Sequence, residues 1–167
     1  MNIQFSLALR KIKTVCDYQF GPDITSILFN TTENLSIERS KKTKRIRYIY
    51  LDNNLLLTIR PTNGLFTLSF FSADLIIENS LSPRLRAVVL NEISKYIKMG
   101  RNVFCKHIIN IDERLRPMDE IIVVNQDNEL LAIGRLIIPI PYVKDFKTGL
   151  AINVRKGIDK LKVKNRI

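Results

Sequence analysis

The sequence has no tryptophan, one histidine and two cysteines, and each scarcity removes a class of function. Cys16 and Cys105 stand far apart and outside any CxxC spacing. A disulfide framework is therefore not expected, and both thiols read as small packing residues. His107 lies two positions from Cys105, on the same face if that segment is a strand. A tetrahedral metal site would need more ligands than this pair, and only Cys16 remains to supply sulfur. No serine or cysteine motif accompanies the histidine to make a nucleophilic dyad. Asp112-Glu113 and Asp119-Glu120 are adjacent carboxylates in turns, neither pair an obvious acid/base couple. There is no P-loop and no GxGxxG. Catalytic residues, metal ligands and cofactors are all expected to be absent. No run approaches the ~20 apolar residues of a membrane span. The first residues, polar Gln4 and Ser6 and then Arg10, Lys11 and Lys13, lack the order of a signal peptide. The expectation is a soluble, cytoplasmic chain with no membrane partner.

Positive charge is what the chain has in excess. It carries 27 Lys and Arg against 16 Asp and Glu, a net charge of +11 with pI about 9.9. Such an excess favours a polyanionic partner, because neutralising phosphates releases their counterions. The hydrophobic fraction is 46%, ordinary for a chain with a packed core. The 167 residues suit one large domain or two small ones.

Along the chain, Phe5, Ala8, Leu9, Ile12, Val15 and Cys16 recur at helical spacing, with Arg10, Lys11 and Lys13 on the other face. Gly21-Pro22-Asp23 breaks that helix. Ile46, Tyr48 and Tyr50 alternate with Arg45, Arg47 and Ile49, the period of a half-buried strand. Asp52-Asn53-Asn54 turns the chain into a second strand, residues 55–60, and Pro61-Thr62-Asn63-Gly64 turns it again. Phe66, Leu68 and Phe70 then line a third strand, and Ser72 is placed to cap a short helix. Asn79-Ser80-Leu81-Ser82-Pro83 is the expected domain boundary. Beyond it, residues 85–90 read as a buried strand and Asn91 as the N-cap of a helix with Ile93, Tyr96 and Ile97 on its apolar stripe. Gly100 is placed to end that helix in a left-handed conformation. Strands are expected over 102–111, 119–125 and 130–138, the last two joined by the turn Gln126-Asp127-Asn128-Glu129. A short helical stretch opens at Pro139 and Pro141, and a final strand covers 150–155. A basic tail from Lys156 to Ile167 is expected to fray.

Four segments of the second half, 100–104, 116–121 (Arg-Pro-Met-Asp-Glu-Ile), 131–135 and 149–157, together resemble a PUA domain, the small β-barrel of pseudouridine synthases and archaeosine transglycosylases. Met118 stands where that family usually has glycine, a departure that bears on the turn there. In the first half, the segments 17–21, 38–47 and 57–66 are similar to the accessory domain that precedes the PUA domain in archaeal tRNA-guanine transglycosylase, the archaeosine enzyme. The resemblance implies an α+β chain: a small α/β accessory domain at 1–80, a PUA-type β-barrel at 83–160 and a basic tail at 161–167. It also implies the C-terminal half of such an enzyme without its catalytic barrel.

The expected function is non-catalytic binding of tRNA, or another structured RNA, in service of tRNA modification, with archaeosine synthesis the implied process. From the residues themselves, Arg39, Lys41, Lys42, Lys44, Arg45 and Arg47 put six cations and no acid into nine positions, a phosphate-tracking edge. The PUA resemblance implicates Gly100, Arg101, Asn102, Val103, Phe104 and Lys106, facing Asn153, Arg155 and Lys156 across the RNA. Glycine lets a phosphate approach the backbone, and guanidinium forks suit phosphate oxygens. The rival reading is an interaction subunit that stabilises a separate catalytic transglycosylase chain and touches RNA weakly. A pull-down with and without nuclease separates the two.

Overall fold

The computed structural model of the protein describes residues 3–160, which fall into two compact units dividing between Asn79 and Ser80. In the first, helix α1 (Ile3–Phe20) buries Ala8, Ile12, Cys16 and Phe20. These sit four apart, on the single face that a helix turns toward a core. It runs past Cys16 and stops at Gly21 (φ +96). Helix α2 (Pro22–Leu28) follows, with proline in the first turn, where its missing N–H costs nothing, and it buries Ile24 and Leu28. Burial pushes the Cys16 thiol up to about 12, against the hydrogen bond with Thr25 and with a smaller push from Asp17.

Strands β1 (Leu35–Arg39), β2 (Ile46–Leu51), β3 (Asn54–Ile59) and β4 (Phe66–Leu68) form an antiparallel meander in that order. Asp52 and Asn53 both have positive φ, +48 and +63, as the two-residue β2–β3 turn requires. Ile49, Leu57 and Leu68 align across three strands and are buried, while Tyr48 and Tyr50 on the opposite face are half-buried. Alternation reveals that a strand has two faces and leaves open which one the helices cover. The Gln19 amide serves as a stand-in strand on β4, donating to the Phe66 carbonyl at 2.8 Å and accepting from the Phe66 amide at 2.7 Å. Phe70 is not in the third strand but opens helix α3 (Phe70–Asn79). The cause is a capping box: the Ser72 amide donates to Ser69 Oγ at 3.0 Å and the Ser69 amide to Ser72 Oγ at 2.9 Å. The cap residue is thus Ser69, with Ser72 reciprocating from inside the helix.

The second unit is a six-stranded sheet ordered β6-β10-β9-β8-β5-β7. Its strands are β5 (Arg86–Val89), β6 (Val103–Phe104), β7 (Ile108–Ile111), β8 (Glu120–Val124), β9 (Leu130–Leu136) and β10 (Leu150–Gly157); only β5 and β8 pair in parallel. Helices α4 (Ser94–Lys98) and α5 (Ile140–Asp145) lie in its connections. The outermost strands β6 and β7 are consecutive in sequence, joined only by a 3₁₀ turn at Cys105–His107. The Cys105 amide donates to the Gly149 carbonyl and the Leu90 amide to that of His107. Those ties bend the sheet into a near-closed PUA-like barrel. The expected single strand over 102–111 is therefore two strands with a corner between, and Cys105 and His107 share that corner and not a strand face.

Three smaller expectations change. Asn91 does not cap a helix: its side chain bonds Asp127 and accepts from the Gln126 amide, and a 3₁₀ turn (Asn91–Ile93) leads into α4. Tyr96 is exposed, leaving Ile97 as the buried residue of α4. Lys156 and Gly157 belong to β10 and not to a frayed tail; residues 161–167, the expected basic tail, lie outside the described residues. Met118 keeps the turn open to glycine's conformation, at φ +75, despite its side chain. Leu85, buried with φ +59, is held by its amide hydrogen bond to Asp112 at 2.8 Å. Burial alone would raise the Asp112 carboxyl, but the Leu85 and Arg114 amides and the Arg114 and Arg84 guanidiniums bring it below the ordinary value.

Candidate nucleic-acid interface

The basic run folds into an ordered hairpin loop between β1 and β2. The Ser40 amide donates to the Arg45 carbonyl at 2.8 Å, the Lys44 amide to the Ser40 carbonyl at 2.9 Å, and Lys44 takes φ +58. Arg39 is spent partly on this scaffold, its guanidinium donating to the Lys44 carbonyl at 3.1 Å. Lys41, Lys42, Lys44, Arg45 and Arg47 are exposed. Arg45 precedes β2, so it and Arg47 do not form a continuous strand row. The Arg47 Nε donates to the Tyr48 hydroxyl at 3.0 Å, and its guanidinium carbon lies 5.4 Å from the Tyr48 ring centroid. Together these two contacts draw the exposed guanidinium toward the tyrosine.

The segments predicted to face each other across a groove in the barrel are instead bonded neighbours. Val103 pairs with Ile152 and Phe104 with Leu150, and the Val154 amide donates to Asn102 Oδ1 at 2.9 Å. Adjacent hydrogen-bonded strands leave no slot between them, so RNA could lie only over this surface. Val103 is fully buried and offers no contact. Gly100 (φ +92) does end the helix, and a Cβ there would stand 3.1 Å from the flexible end of the exposed Lys160 side chain. Close approach is real at Gly157, where a Cβ would strike the carbonyls of Lys98 and Ile97 and the amide of Gly100. Arg101, Asn102, Phe104, Lys106, Asn153 and Arg155 are exposed and Lys156 half-buried. Lys106 turns to a separate groove of about 610 Å³, shared with Lys144, Phe146 and Lys147.

Sequence reasoning missed what holds Arg155. Glu120 is fully buried at the start of β8, and its two oxygens receive Arg155 at 2.6 Å and Arg135 at 3.4 Å. Register explains the meeting: Glu120 pairs with Arg135 and Arg135 with Asn153 across three strands. Arg155 is two positions further along the Asn153 face. No short-range pattern marks a partner 35 residues away. Arg135 thereby joins Arg155 as an oriented guanidinium pair on the barrel wall. Among the described residues no group of three or more His, Cys, Asp or Glu is placed to hold a metal ion, and no helix is long and apolar enough to cross a membrane.

Comparison with known proteins agrees with this architecture. Residues 10–91 match the family of the patch-forming domain C2 of tRNA-guanine transglycosylase, and residues 86–158 match the PUA domain. The chain is 36% identical over 152 residues to the tRNA-guanine(15) transglycosylase of Methanobrevibacter smithii, covering 91% of this chain and 23% of that protein. With the same enzyme of Methanocaldococcus jannaschii it shares 37% over 149 residues, 89% of this chain and 22% of that one. It thus spans under a quarter of the length of these curated relatives. Among solved structures, a hypothetical protein of Pyrococcus horikoshii OT3 matches with TM-score 0.71 at 20% identity, over 89% of this chain and 88% of that one. A conserved PUA domain protein from Thermoplasma acidophilum matches with TM-score 0.62 at 18% identity, over 91% and 89%. At such identities the likeness speaks to fold.

Proposed function

Because this chain carries a patch-forming C2 domain of the tRNA-guanine transglycosylase kind followed by a PUA domain, we propose that it binds tRNA without catalysing a reaction of its own. The reading places it in the cytoplasm, as an accessory or subunit of tRNA modification, with archaeosine synthesis the process and a catalytic transglycosylase chain the partner. The observation that carries it is the β1–β2 loop: an exposed tip with four outward cations and no acid, with the exposed Arg47 just inside β2, in a chain of net charge +11. In this reading the loop tracks backbone phosphates. The barrel surface around Arg101, Asn102 and Phe104, with Asn153, Arg155 and Lys156 beside it, meets the acceptor end, and Lys106 reaches the same RNA from its neighbouring groove.

The test compares intact tRNA with tRNA lacking its 3′-terminal nucleotides. Arg101→Ala with Lys106→Ala should weaken binding of intact tRNA by about tenfold, near 1.4 kcal/mol, and that of trimmed tRNA much less. Equal losses on both would remove the acceptor end from the account. Base exchange in tRNA by the purified chain alone would overturn the non-catalytic assignment.

A further inference from the structure

The β1–β2 loop has a near copy in its own unit. Between β3 and β4 the Arg60 amide donates to the Leu65 carbonyl at 2.8 Å, the Gly64 amide to the Arg60 carbonyl at 2.9 Å, and Gly64 takes φ +72. Both four-residue loops close in the same way. In an antiparallel meander they also lie at the same end of the sheet. The strands beneath them part company there. The β2–β3 ladder ends at Tyr48–Thr58, whereas β1 still pairs Arg39 with Ile46, and β4 still pairs Phe66 with Ile59. The two hairpins therefore splay, leaving a cleft of about 680 Å³ between their tips. Ile46, Ile59 and Pro61 supply apolar walls and Arg45, Arg47 and Arg60 supply guanidiniums; none of its lining residues is acidic.

We infer that this cleft takes one unpaired nucleotide of an RNA, a step that rests on the RNA-binding reading above. Tracking the backbone of a duplex needs only a convex cationic surface. A concave slot with aliphatic walls adds a place to desolvate a planar base, and guanidinium planes stack on bases while their edges hold phosphate. Its volume falls within the range of about 300–1,000 Å³ usual for sites that enclose a small organic group. The Tyr48 hydroxyl and ring draw Arg47 toward the tyrosine before any ligand arrives, which lowers the ordering cost of binding. Arg60 comes from the second loop, so neither hairpin makes the slot alone.

The experiment uses the full chain and two RNA hairpins of equal length, one fully paired and one carrying a single bulged nucleotide, titrated by fluorescence anisotropy. The wild-type chain should prefer the bulged RNA by about tenfold. Arg60→Gln, which lies outside the basic loop, should abolish that preference while binding the paired hairpin almost as well; Arg45→Gln should abolish it too, with a loss on the paired hairpin no larger than that of Lys41→Gln. Lys41→Gln, outside the cleft, should weaken both RNAs alike. Equal binding of the two RNAs by wild type, or a preference that survives both arginine changes, would overturn the cleft while leaving RNA binding intact. Failure to bind either RNA would overturn the cleft together with the reading it rests on.

Discussion

Arg155→Ala looks from the sequence like a harmless surface truncation, and the structure makes it a stability mutation. Arg155 is a third exposed, but its guanidinium lies 2.6 Å from a carboxylate oxygen of Glu120, which has no exposure at all. Removing one partner of a buried ion pair leaves a desolvated charge behind, at about 3–5 kcal/mol when nothing else compensates. Arg135 remains at 3.4 Å, and water can enter the space vacated by a partly exposed side chain. The loss should therefore be nearer that of a single charge-assisted hydrogen bond, about 2 kcal/mol. For a unit of this size that lowers Tm by about 8–16 °C, read by circular dichroism. In a Glu120→Gln background the same truncation should cost less than about 1 kcal/mol, since the charge it strands is gone. A Tm unmoved by Arg155→Ala would refute the pairing.

The Asp112 carboxyl sits below its ordinary value in the folded state, so its contribution is present above the unfolded value near 4 and is lost as pH falls through the folded value. Urea unfolding should show Asp112→Asn with a shallower acid limb below about pH 4; an unchanged limb would contradict this. Gly157→Ala should cost about 1–3 kcal/mol through overpacking, because its Cβ meets the backbone of Lys98, Ile97 and Gly100, and the check is the denaturation midpoint. Met118→Gly should stabilise the barrel by about 1 kcal/mol by relieving a left-handed conformation at an exposed side chain; a loss of stability would show that the side chain packs productively.

Local chemistry wrote much of the fold into the sequence. Ala8, Ile12 and Cys16 announce a helix by spacing alone, and Asp52-Asn53 announces the hairpin that follows. Where two local signals compete, the pattern misleads. Phe66, Leu68 and Phe70 alternate like a strand, yet the Ser69–Ser72 exchange of hydrogen bonds starts a helix at Phe70. Residues 102–111 are apolar enough for one long strand, but barrel closure needs a corner at Cys105–His107. The candidate site was legible as composition and not as geometry. Six cations near the first hairpin are visible in the sequence, whereas the meeting of Arg60 with Arg45 and Arg47 depends on strand splay. The grip of Glu120 on Arg155 depends on register across three strands, which no motif of adjacent residues encodes.

The central proposal is that this chain binds tRNA through phosphate contacts centred on the β1–β2 loop, and the most direct test is affinity across a salt series. Wild-type log affinity for tRNA should fall linearly with log salt. Lys41→Gln, Lys42→Gln and Lys44→Gln combined should flatten that slope by about 2, at roughly 0.7–0.9 for each phosphate no longer neutralised, with the melting temperature unchanged. A wild-type chain that does not bind tRNA at low salt, or a triple variant with the wild-type slope, would contradict it.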